Sequence, residues 1–175
     1  MNIQSVVVGG GPVASLVILV PNEEPGAEKA LIKLPIRIGT VEASAISMGI
    51  DRKKVTRPMT HDLLVSMIDE VGAKIERVRI TSVSGTTFFA EVDITDASGE
   101  PHVVGARPSD AIAIAVRCGC GIFAEQAVLD TAALPDFGAV EEDEKRAELE
   151  EFHNFVENLS PEDFNVADHE DGEKA

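Results

Sequence analysis

The sequence contains no tryptophan, no tyrosine and only two cysteines in 175 residues. Cys118 and Cys120 are separated by one residue and cannot supply a disulfide framework. We therefore expect the protein to be located in a reducing cytoplasm. Their spacing also lacks the two-residue gap of a zinc knuckle, and the sequence has no second pair. The missing Trp and Tyr remove the usual stacking platforms for unpaired bases, leaving Phe88 and Phe89, one of which we expect in the core.

Long apolar runs are also missing. No run approaches the roughly 20 residues that a membrane-spanning helix needs. Met1 leads straight into a strand-like segment rather than into a charged and then apolar leader. We therefore expect neither a membrane protein nor a secretory signal. The hydrophobic fraction of 44% is ordinary for a globular protein and excludes wholesale disorder.

Basic residues are scarce, and the acidic ones are unevenly distributed. The chain has 31 Asp and Glu against 15 Lys and Arg, a net charge of -16. Residues 136–175, the acidic tail, hold 15 acidic and 3 basic side chains, a net of -12, which leaves a net of -4 for residues 1–135. A polyanionic tail repels phosphate backbones, so nucleic-acid binding would require a locally basic patch in residues 1–135.

The order of periodic segments predicts an α+β domain over residues 1–135, with a mixed, largely antiparallel sheet and two or three packed helices. On the segment 86–95, Phe88, Ala90, Val92 and Ile94 alternate with polar residues, which predicts a sheet with one buried face. Strands are predicted over 3–8, 13–20, 30–38, 75–83, 86–95, 102–106 and 121–124. Helices are predicted from a Thr40 N-cap to about Met48, from a Thr60 N-cap to Gly72, and from Arg107 to Gly119.

The acidic tail carries apolar residues at helical spacing, namely Leu149, Phe152, Val156 and Leu159. These predict a helix that docks its apolar stripe on the domain, and we favour that interpretation; a partner-binding or oligomerising helix is the alternative. Two heptads are too few to indicate a coiled coil. We expect residues 168–175 to be disordered.

A glycine-rich match to the dinucleotide-binding pattern occurs at residues 9–14, Gly-Gly-Gly-Pro-Val-Ala. That pattern functions only when a helix follows at once and holds the pyrophosphate at its N-terminus. Residues 15–20 have a strand composition instead. We therefore interpret the match as a hairpin turn.

Two predicted helix starts are nearly repeated. Arg57-Pro58-Met59-Thr60-His61-Asp62 and Arg107-Pro108-Ser109-Asp110 each combine Arg-Pro, a hydroxyl and an Asp. Proline suits a helix start because its missing N–H costs nothing there. The two arginines could clamp a phosphate while the two carboxylates hold a divalent metal. Alternatively, each Arg pairs with the Asp of its own helix start, and the sequence leaves both readings open.

His61 and Asp62 are neighbours whose side chains point about 100° apart on a regular helix, so they cannot both grip one ion there. Either could still face a cleft. The alternative is that Thr60 caps the helix while Asp62 complements its dipole. A basic cluster, Arg52-Lys53-Lys54 with Arg57, and the alternating Arg77 and Arg79 could contact a nucleic-acid backbone or could simply be solvated.

Five segments together closely resemble the bifunctional nuclease family. They are LPIRIG at 34–39, Glu42-Ala43, RPMTHDLL at 57–64, GTTFFA at 85–90 and ARPSDA at 106–111, in family order. The resemblance spans about residues 3–133. The tail, with Phe152 through Phe164, resembles the extension of actinobacterial members.

The resemblance implies an α+β domain that self-associates, with a dimer favoured, and that degrades both DNA and RNA. The matching signature positions are Glu42, Arg57, His61, Asp62, Arg107, Ser109 and Asp110. The sequence departs from the family where Arg37 replaces an aromatic residue, where Gly105 replaces an Asp, and where Phe89 replaces a Tyr. Without an Asp at 105, one candidate metal ligand fewer stands beside Arg107.

Our hypothesis is a cytoplasmic, metal-assisted nuclease that uses Mg²⁺ or Mn²⁺ to hydrolyse phosphodiester bonds. It assigns catalysis to His61, Asp62 and Asp110, substrate binding to Arg57, Arg107 and Ser109, and metal binding to Asp62, Asp110 and Glu42. The rival hypothesis is a non-catalytic binding or regulatory module that recruits a protein through its acidic tail. The net charge, the missing aromatic platforms and Gly105 favour the rival. Convergence of Asp62, Asp110, Arg57 and Arg107 in one pocket would favour the nuclease.

Overall fold

A computed structural model describes residues 1–9, 14–22, 32–51 and 57–135, together with Glu150 and His153, which are helical. The remainder of the predicted tail helix and the basic cluster at 52–54 lie outside the described residues. The elements are β1 (Asn2–Val7), β2 (Ser15–Val20), β3 (Ile32–Ile38), α1 (Thr40–Ile50), α2 (Thr60–Glu70), β4 (Lys74–Ser84), β5 (Thr87–Thr95), β6 (Pro101–Ala106), α3 (Pro108–Cys118), β7 (Gly121–Ala124), α4 (Gln126–Ala132) and β8 (Leu134–Pro135).

The α+β class is confirmed, with two four-stranded sheets where the sequence predicts one. The first has the strand order β1-β2-β3-β8 and the second β6-β5-β4-β7. All neighbours are antiparallel except β4 and β7. The strands of each sheet come mostly from a local meander, and α1 and α2 separate the two meanders along the chain.

One hydrophobic cluster draws on both sheets and on α1, α3 and α4. On β5 the predicted alternation is confirmed, because Ala90 and Val92 are buried while Phe89 is exposed. Helix α3 is the most deeply buried helix described, with residues 111–115 all inside and three of them alanines. These small side chains let the neighbouring elements approach α3 closely.

The helix starts differ by one residue from prediction at two places. The N-caps are Gly39 and Met59 rather than Thr40 and Thr60. Thr40 instead points its hydroxyl at Ser15 Oγ (3.3 Å) and donates to the Gly9 carbonyl (3.5 Å), which joins α1 to the β1–β2 turn. Arg107 is the N-cap of α3, and Pro108 occupies its first turn as predicted.

Strand β2 follows the glycine-rich segment, so the helix that a dinucleotide site requires is not there. None of the helices in the described ranges has both the length and the apolar composition to cross a membrane.

Replacing Leu34 with Ala tests the core. Leu34 lies on β3 with 0% exposure, so we expect the free energy of unfolding to fall by about 2–5 kcal/mol. The matched control is Leu134→Ala on the neighbouring strand β8, where the leucine is 54% exposed and the expected change is about 0.5 kcal/mol or less. Urea unfolding followed by circular dichroism measures both, and equal losses would contradict the proposed core.

Candidate functional site

The first turns of α1, α2 and α3 each carry one acidic residue, Glu42, Asp62 and Asp110 respectively. Each occupies the third position after its N-cap residue. Side-chain contacts link the start of α3 to both other starts, through Arg107 to Glu42 and through Asp110 to His61. Because helix N-termini carry partial positive charge, three carboxylates are tolerated close together here.

Arg107 lies at the centre of this group. Its Nε donates to Asp110 Oδ2 (2.7 Å) and its Nη2 to Asp110 Oδ1 (3.0 Å), a bidentate pair. Its Nη1 donates to Glu42 Oε1 (3.1 Å). The sequence alternative in which each Arg pairs with its own helix-start Asp therefore describes Arg107, with Glu42 as an additional partner. The Arg107 side chain remains 65% exposed and accessible to a ligand.

The charge pairing changes both pKa values. The hydrogen bond from Arg107 is the main cause that lowers the pKa of Asp110; partial burial opposes it, and His61 assists. The same bond to Asp110, followed by Glu42, raises the pKa of Arg107. Asp110 is therefore ionised and Arg107 charged over the physiological pH range.

His61 reaches the same carboxylate from α2. Its Nε2 lies 3.4 Å from Asp110 Oδ1, and the two side chains are 18% and 32% exposed. A carboxylate beside an imidazole orients the ring. Asp110 is thus shared between a guanidinium and an imidazole.

Glu42 is folded back over the start of its own helix. A Cβ at position 39 would overlap the Glu42 carboxylate, so glycine is required for this arrangement. The carboxylate, 25% exposed, then lies where Arg107 can reach it.

Asp62 faces a different partner, as the angle between neighbouring helical residues predicts. Its Oδ1 accepts a hydrogen bond from Arg117 Nε (2.6 Å) and its Oδ2 from the Met59 N–H (2.9 Å). Arg117, only 7% exposed, also donates to the carbonyls of Ala45 (3.0 Å) and Ala113 (2.8 Å). This group ties α2 to α1 and α3. Arg117 was missed by the sequence analysis, although it is the only charge in the last turn of an otherwise apolar helix.

The pKa of Asp62 reflects that environment. Partial burial raises it, but the hydrogen bonds from the Met59 N–H and from Arg117 outweigh burial, so the pKa is lowered overall.

Two predicted substrate-binding residues take different positions. Ser109 is 6% exposed and lies beside Arg107 at the start of α3. Arg57 is exposed and forms no hydrogen bond or ion pair with another residue in the described ranges. The structure therefore does not bring Arg57 into the group around Arg107, and its role remains a prediction.

Arg107 borders two cavities. One, of about 380 Å³, lies against the starts of α1 and α3 and is lined by residues that include Arg37, Glu42, Thr86, Thr87 and Ser109. The other, of about 610 Å³, is lined by residues that include Phe89, Glu91 and Gly105. A phosphate on the exposed guanidinium would therefore have space on either side.

The predicted metal ligands fit a cation only in part. His61 Nε2 and Asp110 Oδ1, at 3.4 Å, are spaced as two ligands of one ion would be. Both oxygens of Asp62 are already engaged, so it does not fit that set. Glu42 and Asp110 are bridged by the Arg107 guanidinium, which would have to move before both could bind one ion.

A second group of acidic and histidine residues could also hold a metal ion. Asp96, Glu100 and His102 place ligand atoms within 4.8 Å of one another, and within the described parts of the chain no other triad does so. Asp96 there accepts hydrogen bonds from the Ser98 and Glu100 N–H groups (2.8 and 2.9 Å) and closes the β5–β6 turn. Asp96 lies beyond the far end of β5 from Thr87, about 17 Å along the chain from Glu91, which lines the larger cavity.

Replacing Asp62 with Asn tests the contact with Arg117. We expect the free energy of unfolding to fall by about 1.5–3 kcal/mol at neutral pH, because Arg117 keeps a buried charge with only carbonyl partners. The folded-state pKa of Asp62 lies below its unfolded value, so its contribution is fully present above about pH 4 and is lost as the pH falls through the folded pKa.

Urea unfolding of the wild type and Asp62→Asn across this pH range measures the effect. The difference between them should shrink towards acid pH. The matched control is Glu76→Gln in the exposed Lys74–Glu76 pair, for which we expect little change at any pH. A stability difference that stays constant down to acid pH would refute the contribution of the Asp62 charge.

Comparison with known proteins identifies relatives over most of the domain. A sequence model described as the bifunctional nuclease domain matches residues 24–136. A Mycobacterium tuberculosis protein named as uncharacterized is 41% identical over 139 residues, covering 75% of this chain and 80% of that protein.

Two plant proteins match a shorter region. Bifunctional nuclease 2 of Arabidopsis thaliana is 30% identical over 87 residues, covering 49% of this chain and 26% of that protein. Bifunctional nuclease 1 of the same plant is 29% identical over 87 residues, covering 49% of this chain and 27% of that protein. With the domain match spanning more than half of its length, the chain belongs to the bifunctional nuclease domain family.

Proposed function

We propose that the protein is a cytoplasmic, metal-assisted nuclease that hydrolyses phosphodiester bonds in DNA and RNA. The observation that carries the proposal is the contact between His61, Asp110, Arg107 and Glu42, which brings acid–base, anionic and phosphate-binding groups from three helix starts together. Family membership and the printed names of the plant relatives support the same reaction.

Arg107 would bind the phosphate. Its planar fork matches two phosphate oxygens as well as it matches the carboxylate of Asp110. Asp110 and Glu42 hold the fork in place before substrate arrives, which reduces the conformational entropy lost on binding. The Ser109 hydroxyl, beside Arg107 in the smaller cavity, would donate to another phosphate oxygen.

His61 would transfer the proton. Asp110 holds the imidazole by one nitrogen, which leaves the ring oriented to accept a proton from the attacking water or to donate one to the leaving oxygen. Catalysis of this kind contributes about 10²–10⁴-fold to the rate.

A bound Mg²⁺ or Mn²⁺ would stabilise the charge that develops on the phosphoryl oxygens. We propose that Asp110 holds it, with Glu42 after the guanidinium of Arg107 turns to the substrate. Asp62 would act by positioning, because its contact with Arg117 fixes the turn of α2 that carries His61. Arg57 would contact the nucleic-acid backbone outside this group.

We also propose that the protein self-associates, with a dimer favoured. Helix α2 has no fully buried residue, and three apolar side chains on it or at its end, Leu63, Met67 and Val71, are 53%, 59% and 70% exposed. A second copy covering them would remove this apolar surface from water.

The histidine–carboxylate pair provides the main test. We expect His61→Ala and Asp110→Asn each to reduce cleavage of single-stranded DNA and RNA by about 100-fold or more, in the presence of Mg²⁺ or Mn²⁺. The matched control is a second pair of this kind, Asp96 in the β5–β6 turn and His102 on β6, at 3.0 Å, where His102→Ala should leave cleavage unchanged. Equal cleavage by the wild type and His61→Ala would overturn the assignment.

The rival function, a non-catalytic module that recruits a partner through the acidic tail, is favoured by one observation. The helix-start carboxylates Asp62 and Asp110 are both paired with arginines, as structural groups would be. Deleting residues 136–175 separates the two functions. If the protein is a nuclease, removing a polyanion should preserve or raise cleavage and nucleic-acid affinity, most clearly at low salt. If it is a recruiting module, the deletion abolishes partner capture and no cleavage is measured in either form.

A further inference from the structure

The larger of the two cavities at Arg107 lies on the outer face of the second sheet. Its volume is about 610 Å³, within the range of small-molecule pockets and sufficient for a nucleoside. Its walls include the hydroxyl residues Thr81, Ser82 and Thr87 and the aromatic residue Phe89. The cavity therefore combines an apolar surface with hydrogen-bonding groups beside a guanidinium.

Packing of the hydrophobic core does not account for the position of the Phe89 side chain. Its side chain is 49% exposed, whereas the adjacent Phe88 packs against the core. The β5–β6 register pairs Ala90 with Ala106 and Glu91 with Gly105. Continuing this register by one residue beyond the end of β6 sets Phe89 opposite Arg107. The aromatic ring and the proposed phosphate-binding group are thus neighbours on adjoining backbones.

Gly105 keeps the cavity open. A Cβ at this position would meet no atom within 4 Å, so a side chain there would project into free space. Gly105 also lines the cavity and is two residues from Arg107. The glycine therefore leaves the approach to Phe89 clear.

The charges of the cavity are compatible with an anionic ligand. Glu91 is the acidic residue in its wall, and its Oε2 lies 2.7 Å from Arg79 Nη2. Arg79 also donates to Asp93 and Glu125, so it offsets part of the Glu91 charge. Arg107 is then the cation that a phosphate would meet in this cavity.

A flat aromatic side chain beside a phosphate-binding arginine matches the two parts of a nucleotide. A base stacks on an aromatic face whatever its sequence, and its phosphate lies within reach of the adjoining cation. Bases in a duplex are stacked on each other and paired, so they cannot reach such a ring unless they are flipped out. An unpaired base in a single strand reaches it without that cost.

We propose that Phe89 stacks the base next to the scissile phosphate and thereby selects single-stranded nucleic acid. The inference rests on the proposed function, since it places the phosphate on Arg107. It adds the substrate class and a binding residue to that function.

Binding of a hydrolysis-resistant, single-stranded phosphorothioate oligonucleotide containing the fluorescent base 2-aminopurine tests the inference on the full-length protein. We expect the wild type to bind it more tightly than the matching duplex and to quench its fluorescence. Phe89→Ala should weaken binding about 10-fold or more and abolish the quenching, because stacking on one aromatic ring is lost. Phe89→Tyr should restore both.

The matched control is Phe123→Ala. Phe123 is 50% exposed on β7 of the same sheet but does not line this cavity, so its loss should change neither affinity nor quenching. Gly105→Val is a second variant that fills the cavity from its floor and suits a strand, and it should weaken binding as Phe89→Ala does.

The outcomes separate this inference from the proposed function. If the wild type cleaves with dependence on His61 but Phe89→Ala and Phe123→Ala bind alike, the stacking role is refuted and the nuclease stands. If Phe89 is required for binding but no cleavage occurs, the nuclease is refuted and the stacking role stands. Equal affinity of the wild type for single and double strands would overturn the substrate class.

Discussion

The arrangement of the site depends on the two arginines that balance three carboxylates at three helix starts. Glu42, Asp62 and Asp110 would repel one another if they were left alone, and helix N-termini offset only part of that repulsion. Arg117 and Arg107 supply the remaining positive charge. Arg117 joins the start of α2 to α1 and α3, and Arg107 links the carboxylates of α1 and α3 beside His61.

The two arginines differ in exposure, which gives Arg117 a structural role and leaves Arg107 available to bind a ligand. Arg117 is 7% exposed and makes hydrogen bonds to backbone carbonyls of two helices, so exchanging its partners would leave buried groups unsatisfied. Arg107 is 65% exposed, and water can replace either of its carboxylates. Only the exposed arginine can transfer from a carboxylate to a phosphate at low cost. This is why a group that is fully ion-paired in the free protein is still suited to bind an anion.

The sequence predicts the local elements well and the long-range pairings poorly. The strand β5 follows directly from alternation, which is a property of neighbouring residues. The places of β7 and β8, which pair with β4 and β3, depend on partners far along the chain. Thr40 is misassigned as a cap for the same reason, because its hydroxyl bonds Gly9 and Ser15, distant residues that no local pattern contains.

The two nearly repeated helix starts differ in the number of residues between the arginine and the aspartate. In both, the aspartate is the third residue after the N-cap, but Arg107 is itself the N-cap whereas Arg57 lies two residues before one. Three positions separate Arg107 from Asp110, and five separate Arg57 from Asp62. At a helix start only the shorter spacing keeps the side chains on one turn, so Arg107 pairs with its aspartate. Asp62 instead accepts the N–H of Met59 and finds a cation on another helix.

The departures of this chain from the family pattern are concentrated around Arg107. Gly105 and Phe89 line one of its cavities, and Arg37 lines the other. An Asp at position 105 would stand opposite Glu91 and add a second carboxylate to the wall of that cavity. That carboxylate would compete with phosphate for Arg107, whereas glycine adds no charge and leaves the face of Phe89 accessible. We infer that glycine at position 105 gives space and a less negative cavity, which would favour binding of a base and its phosphate over binding of a further cation.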